Sequence, residues 1–521
     1  MPRKSQDHVH RLIRSMSSAE RRYFKLFIGR HAPEGGTNPQ LLFDAIAGMD
    51  HYDESAIRTQ FKHEAFIKHL AIAKRRLYET ILRCLDVFHA ESSVDARLNR
   101  SLHHVEILYQ RALYTDAEKM LHNVRRLAEA HHRAPVLLAV AEWERRLIEC
   151  HNYAQVSEGD LDRLAADATS IMEEQLRIAG LWDLKSRLLL ILYREGQVRD
   201  EGTRSRVRAF LQHPLLRKEP LEGSSAKARF YFHHIHSAAA FAVSDMGSCQ
   251  QHLNANLSLL NANKEQFSGD PNLVLGVMSN LIYTYTRLGR SSEAVDLLKQ
   301  FRTAPSQWNM PESDDLDLKL FSTTTSLELS IHSRLGAFDK ALELVPVVER
   351  GLARHGERLG PVRKAAFRYQ VAYAYFGVGD HDKAMRWLND LLNNVGTRDS
   401  SDTVCFGRML QLITRLDSGK TDLLTYTLRN TERFLRTRER QYKFEPLLLT
   451  FIRDLTKART EEARRSLMIT FRDKLGTILS DPLEQAVLDH FDPIAWIESK
   501  LTGKSYAALV RVRALDLKDA A

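Results

Sequence analysis

Two stretches of this chain imitate a nucleotide-phosphate loop, Gly419-Lys420-Thr421 and Gly503-Lys504-Ser505. Such a loop cradles phosphates on backbone amides and needs another glycine five residues before the second one, together with a strand leading into a helix. The two positions hold Thr414 and Glu498, and no β-branched strand pattern precedes either. Gly503 is better explained as a helix stop. Histidine is abundant, with 22 copies and local groups at His103-His104, His131-His132 and His233-His234-His236. Adjacent helical residues point about 100° apart, so among these only His233 and His236 share a face. Positions 229, 230, 237 and 240, one turn away, are Arg, Phe, Ser and Ala, and none completes a metal site. The H-E-x-x-H, G-x-S-x-G and G-x-G-x-x-G patterns are absent. The reading is a non-enzymatic protein with no catalytic residue, no metal ligand and no cofactor.

What remains that could do chemistry is charge. Lys and Arg number 75 against 66 Asp and Glu, a net +9, and the excess is concentrated. Residues 1–30 carry eight basic side chains against Asp7 and Glu20. On a second stretch Arg429, Arg433, Arg436 and Arg440 recur at i, i+4, i+7 and i+11, which places all four on one helix face. This row is the candidate partner-binding site, able to meet phosphates or an acidic partner. The alternative is a solvated face answered by acidic residues of a neighbouring helix.

The N-terminal part offers a further basic candidate. A helix over 39–49, a turn at 50–53 and a helix from Glu54 resemble helix-turn-helix spacing, and Lys62, Lys68, Lys74, Arg75 and Arg76 would then supply phosphate contacts. Against this, Arg58 and Gln60 alone stand near the start of the second helix as base-reading types, and a helical array commonly begins with such a unit as a cap.

These side chains need elements to hold them. With 24 Gly and 14 Pro in 521 residues, about 7% against a usual value of roughly 12%, long helices are expected. Apolar content of 44% and charged content of 27% exclude wholesale disorder and low-complexity classes. The four cysteines, Cys84, Cys150, Cys249 and Cys405, form no C-x-x-C pair and read as scattered small apolar residues. No signal-like apolar stretch and no membrane-spanning run occurs, so a cytoplasmic protein without a membrane span is expected. Ser17-Ser18-Ala19-Glu20 reads as a capping box opening a helix that Gly29 can stop. The run from Ser55 to His89 has no Gly or Pro and predicts one or two helices. Asp481-Pro482 and Asp492-Pro493 each place a capping carboxylate before a proline and predict two short helices.

The central region is internally similar. NLIYTYTRLGRSSEAVDLLKQF, LELSIHSRLGAFDKALELVPVV and VAYAYFGVGDHDKAMRWLNDLL align on Gly289, Gly336 and Gly379, each preceded by an aliphatic residue and followed five positions later by Ala294, Ala341 and Ala384. A glycine between two helices accepts a left-handed backbone without steric cost, and a small alanine lets the second helix approach the first, so each segment predicts an αα-hairpin. Degraded copies extend outward, one keeping Ala117 without a glycine and one keeping Gly247 without the alanine.

These residues resemble the tetratricopeptide repeat, with its helix ending in Leu-Gly, its turn and its second helix with a buried small residue. The spacing of the glycines, 47 and then 43 residues, departs from the standard 34 and implies longer helices or inserted turns. The order of capped N-terminal helix, repeats, RNTERFLRTRERQYKFEPLLLTFIRDL segment and terminal FDPIAWIESKL is similar to a family of uncharacterised bacterial repeat-containing proteins. That resemblance implies a fold and no known activity.

The expected architecture is an all-α, TPR-like αα-hairpin solenoid with helical caps: a basic N-terminal unit over 1–98, the repeat array over 99–480 and a C-terminal cap over 481–521. The expected function is an interaction scaffold that binds a protein or peptide partner on the repeat surface. The alternative is a nucleic-acid-associated regulator using the basic N-terminal unit.

Overall fold

The computed structural model describes residues 7–30, 38–91, 93–154, 156–217, 223–267, 270, 272–310, 312–394, 401–419, 423–437 and 441–519. Among them every regular element is helical and none is a strand. The chain divides into two compact units, Met1–Met172 and Glu173–Ala521, with the division inside one long helix.

The first unit contains α1 (His8–Ser15), α2 (Ser18–Arg30), α3 (Asn38–Ala47), α4 (Glu54–Gln60), α5 (Leu70–Phe88), α6 (Val94–Gln110), α7 (Tyr114–Ala130), α8 (Ala134–Cys150) and the first part of α9 (Glu158–Glu195). The predicted capping box is present: Glu20 N–H donates to Ser17 Oγ at 3.3 Å, and Ser17 N–H donates to Glu20 Oε2 at 2.6 Å. Helix α2 runs one residue past Gly29, to Arg30. The run from Ser55 to His89 divides into two α-helices, α4 and α5, within the one or two expected, with a 3₁₀ turn at Ala65–His69 between them. Buried apolar residues form two clusters here, one between Val9 and Cys84 and another between Leu98 and Leu147.

The second unit continues with α10 (Glu201–Leu211), α11 (Ala226–Ala242), α12 (Met246–Ala262), α13 (Lys264–Phe267), α14 (Asn272–Arg287), α15 (Ser291–Gln307), α16 (Asp314–Arg334), α17 (Phe338–Leu342), α18 (Val345–His355), α19 (Pro361–Gly377) and α20 (His381–Asn393). It ends with α21 (Asp402–Asp417), α22 (Leu424–Thr437), α23 (Phe444–Lys457), α24 (Glu461–Leu479), α25 (Pro493–Thr502) and α26 (Tyr506–Asp519). Successive hairpins pack side by side, α12 on α14, α15 on α16, α16 on α19 and α20 on α21.

The three aligned segments are hairpins of one construction. Gly289, Gly336 and Gly379 adopt φ of +74°, +65° and +84°, and the next residue's N–H reaches back to the carbonyls of Tyr285, His332 and Tyr375 at 2.9–3.0 Å. This closes the first helix with a left-handed residue and a six-to-one hydrogen bond. Ala294, Ala341 and Ala384 are fully buried at the start of the second helix. The second helix of the middle hairpin is split into α17 and α18, with Pro346 in the first turn of α18.

The degraded copies keep the geometry with different residues. Ala112, five positions before buried Ala117, takes the glycine's place at φ +59°. In the α11–α12 turn the left-handed residue is Ser244 at φ +62°, and buried Cys249 stands where the alanine would be. Gly247 lies one residue inside α12 and is not the turn residue, which corrects the sequence alignment by three positions.

At the C-terminal end Asp492 caps α25 with Pro493 in its first turn, as expected, while Asp481 opens only a turn followed by a 3₁₀ segment, Gln485–Asp489. Gly503 ends α25 at φ +70°. Helix α25 packs on α24, but the segment does more than cover the last helix: residues 488–513 reach back to α14, α16 and α19.

Candidate functional site

The arginine row sits on α22. Leu424, Leu428, Thr431 and Leu435 are buried, so the opposite face of the helix is set outward by the 3.6-residue period. Arg429, Arg433 and Arg436 are exposed on it, and Tyr426, one turn before Arg429, is 67% exposed. Arg440 lies outside the described residues. Glu432, the acid within the row's own helix, is turned to Arg453 of α23 at 2.8 Å. Among the described residues none of the three arginines forms an ion pair.

The basic N-terminal candidates are distributed differently. Lys74 is withdrawn from solvent: its ammonium donates to Asp7 Oδ2 at 2.8 Å, to the Tyr52 hydroxyl at 2.8 Å and to Glu54 Oε2 at 3.2 Å. Burial disfavours its charge, but these partners outweigh it and hold the ammonium above its ordinary range, while Lys74 holds the Asp7 carboxyl below its own. Lys74 is therefore engaged within the fold, linking the N-cap of α1 and the start of α4 to α5. Arg75 pairs with Glu79 at 3.0 Å, and Arg76, Lys62 and Lys68 are exposed. The helix after the turn at 50–53 is α4, seven residues long, and it is followed by the 3₁₀ turn at Ala65–His69.

The second unit has an inner face, formed by the first helices of the hairpins, and the chain's own C-terminal segment occupies part of it. The Asp489 carboxylate bonds the guanidinium of Arg287 and lies 3.2 Å from that of Arg334. Arg334 also donates to Leu488 O, and the Tyr369 hydroxyl donates to His490 O at 2.9 Å. The Tyr373 and Tyr506 hydroxyls meet at 2.7 Å, and Arg511 Nε donates to Gly336 O at 2.9 Å. Gly336 is doubly constrained: a Cβ there would stand 2.7 Å from Ala507 O. Burial pushes the phenols of Tyr369, Tyr373 and Tyr506 far up, so all three are neutral hydrogen-bonding groups. None of these long-range partners carries a local sequence signal beyond the i, i+4 spacing of Tyr369 and Tyr373 on one face of α19.

His233 and His236 share a face as expected, and both meet His252 of α12, which sequence spacing could not have supplied. His233 Nδ1 is 3.0 Å from His252 Nδ1, and the His236 and His252 rings stack at 4.8 Å. Burial, then the neighbouring His236 and Arg229, holds His233 below its ordinary pKa, so the group is an imidazole stack between two helices. Among the described residues no group of three or more His, Cys, Asp or Glu is arranged to hold a metal ion. None of the four cysteines is in a disulfide, and burial pushes the Cys84 thiol up to about 11. Gly419 and Gly503 are left-handed residues just past the ends of α21 and α25. No helix among the described residues is long and apolar enough to cross a membrane.

No family model matches this chain, and no curated protein does.

Proposed function

We propose that this chain is a non-enzymatic interaction scaffold of TPR-like hairpins that takes an acidic protein or peptide segment on the arginine row of α22. One observation carries the reading: Arg429, Arg433 and Arg436 stand outward on one helix face with no acidic partner among the described residues. A fork of guanidinium donors suits carboxylates, and Tyr426 beside them adds an aromatic anchor of the kind enriched at interfaces. The inner face supports this choice, because the C-terminal segment already lies across α14, α16 and α19, where an extended partner would otherwise run. Four cysteines outside any disulfide suit the reducing cytoplasm as the place of action.

The test is the double reversal Arg433→Glu with Arg436→Glu, read with a fluorescent poly-glutamate peptide at low salt and with single-stranded DNA beside it. Exposed charges contribute only about 0–1 kcal/mol each to stability, so the melt should move little while peptide affinity falls by about tenfold or more. Unchanged peptide binding, or binding confined to the DNA, overturns the reading.

A further inference from the structure

Where the C-terminal segment stops, the inner face of the second unit keeps an unfilled compartment. It measures about 510 Å³, within the roughly 300–1,000 Å³ usual for small-molecule sites. Helices α9, α11, α12, α14, α16 and α19 supply its lining. Its body is apolar, with Leu189, Leu192, Phe241, Leu327 and Phe367 among the walls. Hydroxyls from successive helices, Ser237, Ser279, Thr323 and Ser326, line those walls; Ser237, Ser279 and Ser326 donate their protons to His234 O, Gly276 O and Gln370 Oε1, so they remain as neutral acceptors.

The charge on this lining is one-sided. No Asp or Glu lines the compartment among the described residues, and the one permanently charged group is Arg363 at its rim. Other cations of the inner face are answered: Arg199 by Glu445 and Glu484, Arg287 and Arg334 by Asp489, and Arg513 by Asp492 at 2.7 Å. Arg363 instead donates to the Ser322 hydroxyl and has no carboxylate partner among the described side chains. His234, the one imidazole among the lining residues, is kept neutral by burial, its pKa pushed down to about 4. A guanidinium that keeps most of its donors unused beside an apolar chamber selects an anion, and the chamber selects an apolar body attached to it.

We infer that this compartment binds a small amphipathic anion, a carboxylate carried on an aliphatic or aromatic body, with Arg363 gripping the charged group and the hydroxyl-studded wall between α11 and α19 enclosing the rest. A free small molecule fits better than the end of a peptide. The adjoining stretch of the inner face is lined by Leu488, Asp489 and His490, so an extended chain running on from the chamber would meet the C-terminal segment and its Asp489 carboxylate, which a short free anion avoids. This site is independent of the arginine row on α22.

The probes are decanoate, decanol and decyltrimethylammonium, titrated against the full chain by calorimetry. Decanoate should bind saturably, at least about tenfold more tightly than the neutral alcohol, and the cation should bind weakest. Equal affinities for the three, or no saturable binding of decanoate, overturn the inference without any variant being made. Arg363→Gln should bring decanoate down to the affinity of decanol while circular dichroism is unchanged. Ala238→Trp, which fills the chamber, should remove both. If Arg363→Gln leaves decanoate unaffected, or if a peptide ending in a decanoyl-sized apolar residue with a free carboxylate binds more tightly than decanoate, the assignment is wrong.

Discussion

The guanidinium of Arg199 is clasped by the carboxylate of Glu484, 285 residues further along the chain, and by that of Glu445, 246 residues along. All three side chains are buried. Tyr442 lies 4.3 Å beneath the guanidinium; Glu445 Oε2, shared with Arg199, also accepts the Tyr442 N–H, and the second Glu484 oxygen accepts the Lys443 N–H. The cluster joins the segment between α9 and α10, the start of α23 and the turn that begins the C-terminal segment. Removing the cation alone would strand two buried carboxylates, a situation that costs about 3–5 kcal/mol. Arg199→Met should therefore lower stability by that order in chemical denaturation. Adding Glu445→Gln and Glu484→Gln should restore most of it, since glutamine keeps the acceptor oxygen for each backbone N–H and removes the charge. A small effect of Arg199→Met, or no recovery in the triple variant, would show that the clasp is not closed.

The hairpin turns yield a ranked prediction. Ser244 holds a left-handed backbone with a side chain, which costs on the order of 1 kcal/mol, so Ser244→Gly should raise stability only slightly, by up to about 0.5 kcal/mol after glycine's greater freedom in the unfolded chain is subtracted. Gly379→Ala should lose about 1 kcal/mol, because its Cβ would meet open space and only the backbone is strained. Gly336→Ala should lose about 2 kcal/mol or more, since the same strain is joined by collision with Ala507 O and Arg511. Denaturation midpoints of the three variants settle the order. Equal losses at Gly336 and Gly379 would mean that α26 is not seated on the turn.

Much of the fold is legible where one residue type serves one geometric need. Gly289, Gly336 and Gly379 announce their turns because glycine accepts positive φ freely, and Ala294, Ala341 and Ala384 announce close helix contact because they are small. Ser244 and Ala112 perform the glycine's part without its signature, and Gly247, a decoy three residues away, draws the alignment out of register. Helix α1 escapes composition-based reading although its pattern is present: Asp7 caps it, and Val9, Ile13 and Met16 return at helical spacing and are buried. The exposed arginine row follows from periodicity alone. The closing of the inner face by Asp489 and His490 does not, because two arginines more than 150 residues upstream decide it and no local pattern encodes such a pairing.

The buried imidazoles give the protein an acid limit whose sign is fixed. Burial holds His234 at about 4 and keeps His233 and His490 below the ordinary value near 6.5. The folded state thus binds fewer protons than the unfolded chain below about pH 6.5, and stability is full above that value and falls as pH drops toward the folded pKa. For His234 alone, one pKa unit being worth about 1.4 kcal/mol, the loss between about pH 6.5 and 5 should be near 2 kcal/mol. This window lies above that of Asp7, whose lowered pKa makes its contribution disappear only as pH falls below about 4. His234 stacks on Phe230 at 5.7 Å, so His234→Phe keeps a ring in place while removing the titration. Denaturant unfolding from about pH 7.5 to 5 should show a decline in the parent protein that is shallower in His234→Phe. Parallel profiles for the two would mean that His234 is not buried neutral, and a flat parent profile would mean that none of the three is.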